Sequence, residues 1–281
     1  MTDTYSKTGY LNSDFKIFHI TDTEKKEFDF HYHDFYKVLI LISGNISYII
    51  EGKHYQLQPY DTLLVNAGDI HKPVINDTTP YERIIVYISS SFFDTYRTEE
   101  YDLFHCFQAA RDTHSSLIRS KQFPDTPLYQ NVLEFAKSFH TCTYASSLFQ
   151  EVKFMEYMIL LNHSVINDQI IYTNASTKNE TVLKTMHYIN THLTETLSID
   201  IIARHMFLNR SYLMHLFKSE TGYTIGKYIT EKRLFLAKRY IQSGMPVTDA
   251  CYKSGFKNYS SFYHAFTKRY DFLPKDSTDI I

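Results

Sequence analysis

The 281-residue sequence is poor in cysteine: Cys106, Cys142 and Cys251 are the only three, and they lie far apart. An odd, scattered set with no CxxC and no Cys/His cluster excludes a disulfide framework and a cysteine-built metal finger, and fits a reducing compartment. Long apolar runs are equally scarce. The longest, Val38–Ile42, falls far short of the ~20 residues that span a bilayer, so no membrane partner is expected. The first ten residues carry Asp3 and several hydroxyl side chains where a secretory signal needs a basic start and an apolar stretch. A cytoplasmic protein is the expectation.

What is present in quantity is hydrophobic surface, 43% of residues, enough for substantial cores and, at this length, for two domains. The net charge of -2 conceals an uneven distribution. From Thr181 to the end there are 14 lysines and arginines against 8 acidic residues, a balance of +6, and the remainder holds 15 against 23, a balance of -8. A basic module behind an acidic one suits a polyanionic partner for the second module, although a solvated basic face gives the same count.

Residues 15–89 read as short β-rich runs separated by turn signals: Lys37–Ile42, Gly44-Asn45, Ile46–Glu51, Gly52-Lys53 and His54–Leu57. That spacing suggests a barrel or sandwich. Past Ser91 the strand signals fade, and Tyr129–His140 and Ala145–Asn167 carry apolar residues at helical spacing. In the second of these, Leu148, Val152, Met155, Ile159, Asn162, Val165 and Ile166 form a stripe, which serves either as core or as a dimer seam. Tyr172–Glu180 is small, polar and aperiodic, as a linker would be. Beyond it six helices are predicted: Val182–Leu193, Ile199–Met206, Arg210–Thr221, Ile225–Ser243, Val247–Ser254 and Ser260–Tyr270.

Within that region one pattern occurs twice. Ser198 can cap a short helix with Ile202 and Ala203 inward; a turn at Phe207-Leu208 follows, then Asn209 can cap a second helix with Leu213, Leu216 and Phe217 inward. Pro246 is placed at a first helical position before Val247, Ala250 and Cys251; Gly255 permits a turn, Phe256 plugs the core, and Phe262, Ala265 and Phe266 point inward from the last helix. Each half is a helix-turn-helix, residues 198–219 and 246–270, and the long helix between them can set two reading helices about 34 Å apart, one turn of B-DNA.

The stretch Leu197–Ile241, with Ala203, Tyr212-Leu213, Phe217-Lys218, Thr221-Gly222, Tyr228-Ile229, Arg233 and Ala237, resembles the first half of the AraC/XylS family DNA-binding domain. Val247–Pro274, with Gly255-Phe256, Ser261-Phe262, Phe266 and Pro274, resembles its second half. Three positions depart from the pattern. Phe207 replaces the usual glycine of the first turn, where a left-handed backbone costs roughly 1 kcal/mol or more; Cys251 replaces a small alanine; and Asp271 stands where glycine is common.

The resemblance implies a sequence-specific transcription regulator rather than an enzyme, with double-stranded DNA as partner, RNA polymerase as a further one, and no cofactor or catalytic residue. It places base contacts at Ser211, Met214, His215, Tyr259, Tyr263 and His264. Methionine and tyrosine suit thymine methyls and histidine makes a single bond, so A·T-rich half-sites are expected. Asn209, Arg210, Asn258 and Lys268 are assigned to phosphates, which set affinity and salt dependence.

In the first module, His31-x-His33-x-x-x-Lys37 followed by Gly44, with Gly68-x-x-His71, resembles the two motifs of the cupin barrel, except that lysine replaces the usual glutamate. A protonated amine has no lone pair to donate and repels a dication, so no metal is expected on this set. His31, His33, Lys37 and His71 then serve either as hydrogen-bonded structure or as a pocket for a hydroxylated or anionic small-molecule effector.

The expected architecture is α+β and multidomain: a cupin-like β-barrel sensor (residues 1–92), a helical extension (93–171) forming a homodimer through 145–167, a linker (172–180), and an all-α tandem helix-turn-helix domain (181–281). Two other readings stay open. One is a cupin-type metalloenzyme fused to a DNA-binding module; the other is an effector-independent regulator whose barrel only dimerises.

Overall fold

The structure is a computed structural model describing residues 11, 13–24, 26–121, 124–141, 144–173, 175–177 and 179–278. The chain divides into two compact units between Ser176 and Thr177.

The N-terminal unit begins with strands β1 (Phe15–Asp22), β2 (Tyr36–Ser43), β3 (Ile46–Ile50), β4 (Lys53–Gln56), β5 (Thr62–Val65), β6 (His71–Ile75) and β7 (Tyr81–Ile88). They form two sheets. One has the order β1-β7-β2-β5 extended by β8 (Leu117–Ser120) and β9 (Ile170–Tyr172); in the other, β3 lies between β4 and β6. Antiparallel ladders join β1 to β7 from Phe15↔Ile88 to Asp22↔Tyr81, and β2 to β7 from Tyr36↔Ile88.

The apolar run in β2 is buried on both faces, as an uninterrupted hydrophobic strand requires. Val38 and Ile40, with Ile84, Val86 and Ile88 of β7, join the core formed with the helices, which include α1 (Ser90–Thr95), α2 (His105–Asp112), α3 (Pro127–Thr141) and α4 (Ser146–Ile166). Lys37, one residue out of phase, emerges on the opposite face, toward Tyr48 of β3.

The turns are placed differently from the sequence expectation. The two-residue turn between β3 and β4 is Glu51-Gly52, one position before Gly52-Lys53, and both residues have positive φ (48° and 75°). Such a turn matches the strand twist, and glycine meets half of its demand without strain. Gly44-Asn45 turns a corner between the two sheets rather than closing a hairpin. The segment past Ser91 is not purely helical: β8 and β9, four and three residues long, add to the larger sheet.

The C-terminal unit contains α5 (Glu180–Thr191), α6 (Ile199–His205), α7 (Arg210–Thr221), α8 (Ile225–Gln242), α9 (Val247–Lys253), α10 (Tyr259–Tyr270) and a closing 3-10 turn, Pro274–Thr278. Five helices start at a side-chain cap: Asn179, Ser198, Asn209, Thr224 and Asn258 each accept hydrogen bonds from backbone amides of the first turn. Pro246 is itself the cap of α9, so the first helical residue is Val247.

Cys251 fills the core beside Ala250, Phe262 and Phe266. The turn at Gly255 packs closely against the Leu193-Thr194 segment that follows α5 and against Arg233 of α8. Its φ is +96°, and a Cβ there would stand 2.7 Å from the Leu193 carbonyl oxygen and 2.8 Å from Arg233 Nε. Arg233 fastens the same place, with Nε donating to Leu193 O (2.9 Å) and Nη2 to Glu195 O (2.7 Å). This arginine, one of the basic residues along α8, is therefore committed to the fold. Lys238 of the same helix is buried, its ammonium over the rings of Tyr270 and Phe272.

Candidate nucleic-acid interface and effector site

α7 and α10 are built alike. Each is 12 residues long, starts from an asparagine cap, carries a fully buried residue at its fourth position (Leu213, Phe262) and a buried phenylalanine at its eighth (Phe217, Phe266), and places a histidine at its sixth (His215, His264). Each ends on a left-handed residue, Gly222 (φ 73°) or Asp271 (φ 60°). With one stripe fixed inward, the helical period turns the other face out. Ser211, His215, Tyr259, His264 and Lys268 are exposed on it, whereas Met214 and Tyr263 are only half-exposed.

Asn209 Oδ1 accepts from the amides of Ser211 and Tyr212, and Asn258 Oδ1 from Ser261, leaving the NH2 groups as the side-chain donors available to a phosphate. Arg210 Nη1 lies 3.1 Å from both carboxylate oxygens of Asp200 on α6, so its charge is partly offset in the unbound protein. Tyr212, 56% exposed beside Ser211, is on this face although the sequence reading did not include it among the contacts. Counting along the helix from the Asn209 cap is the signal that would have found it.

In the first turn, Phe207 has φ +55°, the left-handed conformation its position demands, and its ring is 95% exposed. The backbone follows the glycine pattern, and the side chain is left in solvent.

In the N-terminal unit the four expected effector residues are brought together, with His33, Lys37 and His71 buried and His31 exposed. His71 lies 4.4 Å from His31 and 4.8 Å from His33 between ring centroids. Each imidazole uses Nδ1 on a backbone carbonyl: His31 on Asp29, His33 on Phe35 and His71 on Asp69, at 2.8–3.0 Å. Lys37 Nζ donates to the Tyr48 hydroxyl at 2.8 Å. Its ammonium is fully enclosed, and burial, together with the positive charge of Arg83, pushes its pKa down to about 7. Burial and the charge of Lys37 also hold His71 well below the ordinary imidazole value.

Arg83, which sequence reasoning missed, completes this basic interior. Its Nη1 meets Asp22 at 2.7 Å and the Tyr81 carbonyl at 2.9 Å, and its guanidinium lies over the Tyr81 ring. Arg83 Nε and His71 Nε2 are buried without a hydrogen-bond partner among the described residues. Nothing in the local sequence around Arg83 signals this; only strand pairing turns it inward.

Among the described residues, no helix is long and apolar enough to cross a membrane. Residues 17–131 match the family described as the AraC-like ligand binding domain, and residues 202–278 match a helix-turn-helix domain family. The transcriptional activator RhaS of Shigella sonnei is 22% identical over 256 residues, covering 89% of this chain and 87% of RhaS. The regulatory protein SoxS of Salmonella typhimurium is 28% identical over 92 residues, 32% of this chain and 86% of SoxS. A crystal structure of ToxT from Vibrio cholerae covers 95% of this chain and 98% of its own, with 14% identity and a TM-score of 0.39. The two family matches, in this order and with RhaS and SoxS as sequence relatives, place the chain in the AraC family of transcription regulators, with an N-terminal ligand-binding domain and a C-terminal helix-turn-helix DNA-binding domain.

Proposed function

We propose that this regulator is a cytoplasmic, non-enzymatic, effector-responsive dimer that reads DNA with the exposed faces of α7 and α10. The observation that carries the reading is the repeat of one helix design, with His215 and His264 exposed at the same position. Ser211, Met214, Tyr259 and Tyr263 flank the two histidines as base contacts. Asn209, Arg210, Asn258 and Lys268 hold phosphates, and Arg210 exchanges Asp200 for the DNA backbone on binding. α8, 18 residues or about 27 Å long, spaces the two reading helices along one face of the duplex.

Footprinting and affinity measurements at two salt concentrations test this reading. His215→Ala and His264→Ala are each expected to relax preference at one base pair, a loss of about 1–3 kcal/mol on the specific site, while Arg210→Ala weakens all sequences alike and lowers the salt slope. Equal losses on specific and random DNA for both histidine variants would sink the base-contact assignment.

The effector belongs in the interior around Lys37. What supports this is a buried amine on the same interior face as two buried nitrogen groups without a hydrogen-bond partner among the described residues, Arg83 Nε and His71 Nε2, which an anionic or hydroxylated ligand can satisfy. A carboxylate arriving there restores the charge on Lys37, so binding near pH 8 takes up a proton. Dimerisation is assigned to α4, whose outward stripe brings two helices together, and contact with RNA polymerase to the DNA-bound form.

A further inference from the structure

A second cluster of metal-ligating side chains lies away from the barrel interior, on the face that the larger sheet turns toward the helices. His19 of β1, Glu82 of β7 and His140 of α3 offer one ligand atom each, and these atoms all lie within 4.8 Å of one another. The ladder explains how residues 63 positions apart meet: His19 pairs with Ile84 and Thr21 with Glu82, so both side chains rise on the face of the Ile84–Val86–Ile88 core stripe. His19 Nε2 stands 2.8 Å from Glu82 Oε1, with side-chain exposures of 11% and 29%. The His19 ring is stacked on Phe139 at 4.8 Å and meets the His140 ring edge-on at 5.2 Å. His140 is exposed in the last turn of α3.

We propose that His19, Glu82 and His140 form a site for a divalent transition metal of the zinc class, distinct from the effector interior. Two imidazoles and one carboxylate are a donor set that such ions accept, with water completing the coordination. The stacked Phe139 fixes one imidazole and the β1–β7 ladder fixes the carboxylate, so little ordering is required. The 2.8 Å contact between His19 and Glu82 opens by a few tenths of an ångström, to the ~3.3 Å that separates two ligands of one tetrahedral ion. A dication there also meets the negative end of the α3 dipole. In the barrel interior the charge of Lys37 works against a cation; here no lysine or arginine is among the three ligands. The ion ties the last turn of α3 to the sheet, and through α3 it braces α4, since Asn131 of α3 donates to Lys153 O and Glu156 of α4.

The test is a Zn2+ titration of the full-length, EDTA-treated protein by calorimetry, with thermal melting alongside and Co2+ as a spectroscopic probe. One Zn2+ per chain is expected, with a rise in the melting temperature of the N-terminal unit. His140→Ala, an exposed change, and Glu82→Gln are each expected to weaken binding by about tenfold or more with unchanged circular dichroism. The Co2+ spectrum should lack a thiolate charge-transfer band. Absence of Zn2+ binding, undiminished binding in both variants, or a thiolate band would each overturn the site.

Discussion

Lys37 illustrates how one residue can set the behaviour of a site. With its amine buried and its pKa near 7, the folded chain has released a proton that the unfolded chain keeps up to about pH 10.4. Between those values the unfolded state binds more protons, so stability rises with pH, by up to about 1.4 kcal/mol per unit, and below pH 7 the full penalty is present. Lys37→Met is expected to flatten this slope and to stabilise the N-terminal unit at pH 6 by about 2 kcal/mol or more, read by urea denaturation across pH 6–10. A variant that keeps the parent's slope would refute the buried-amine account. His71 acts in the lower window: it is neutral when folded, so stability is lost as pH falls below about 6.5 and the unfolded imidazole takes up its proton.

At the scale of an element, the first helix-turn-helix carries a cost that the second avoids. Gly255 serves the second turn, while Phe207 holds φ +55° in the first with its ring in water. Phe207→Gly removes the Cβ conflict but adds backbone entropy to the unfolded chain, so a net stabilisation of up to about 1 kcal/mol is expected in the C-terminal unit. A chemical denaturation midpoint that falls instead would show that the ring contributes contacts. α4 shows a different separation of roles. Phe154, Tyr157, Met158 and Leu161 face the core, whereas Leu148, Val152, Ile159 and Ile166 are 54–69% exposed. Of the apolar stripe seen in the sequence, those four members therefore face outward, Met155 and Val165 pack partly buried against the core, and Asn162 is buried and bonded to Cys106 N and Leu103 O.

For the whole molecule, that outward stripe bears on assembly. A run of exposed aliphatic side chains along one helix is costly in water and suits a second copy of the same helix. Ile159→Glu is expected to leave the fold intact, since the residue is 56% exposed, and to convert a dimer to a monomer in sedimentation equilibrium. Identical sedimentation of variant and parent would remove α4 as the seam. The charge distribution acts on the same scale. The +6 balance after Thr181 sits on the unit that meets DNA, so affinity falls with salt even where base contacts are unchanged.

The C-terminal unit was legible in the sequence almost residue by residue, because its information is local. Caps, 3.6-residue periodicity and turn residues act over spans of a few positions, and they set α5 to α10 to within two residues or so of the expectation. In the N-terminal unit the apolar run of β2 and the His31-x-His33 spacing were readable for the same reason. The tertiary structure decided the rest. It paired β8 and β9, too short to carry a pattern, with strands far away in the chain; it turned Arg83 onto the inner face that carries Lys37; and it chose which stripe of α4 to bury. It also gathered His19, Glu82 and His140 from two strands and a helix end. Such meetings depend on which strand lies beside which, a long-range choice made by the whole core, and no window of sequence around any one of these residues contains it.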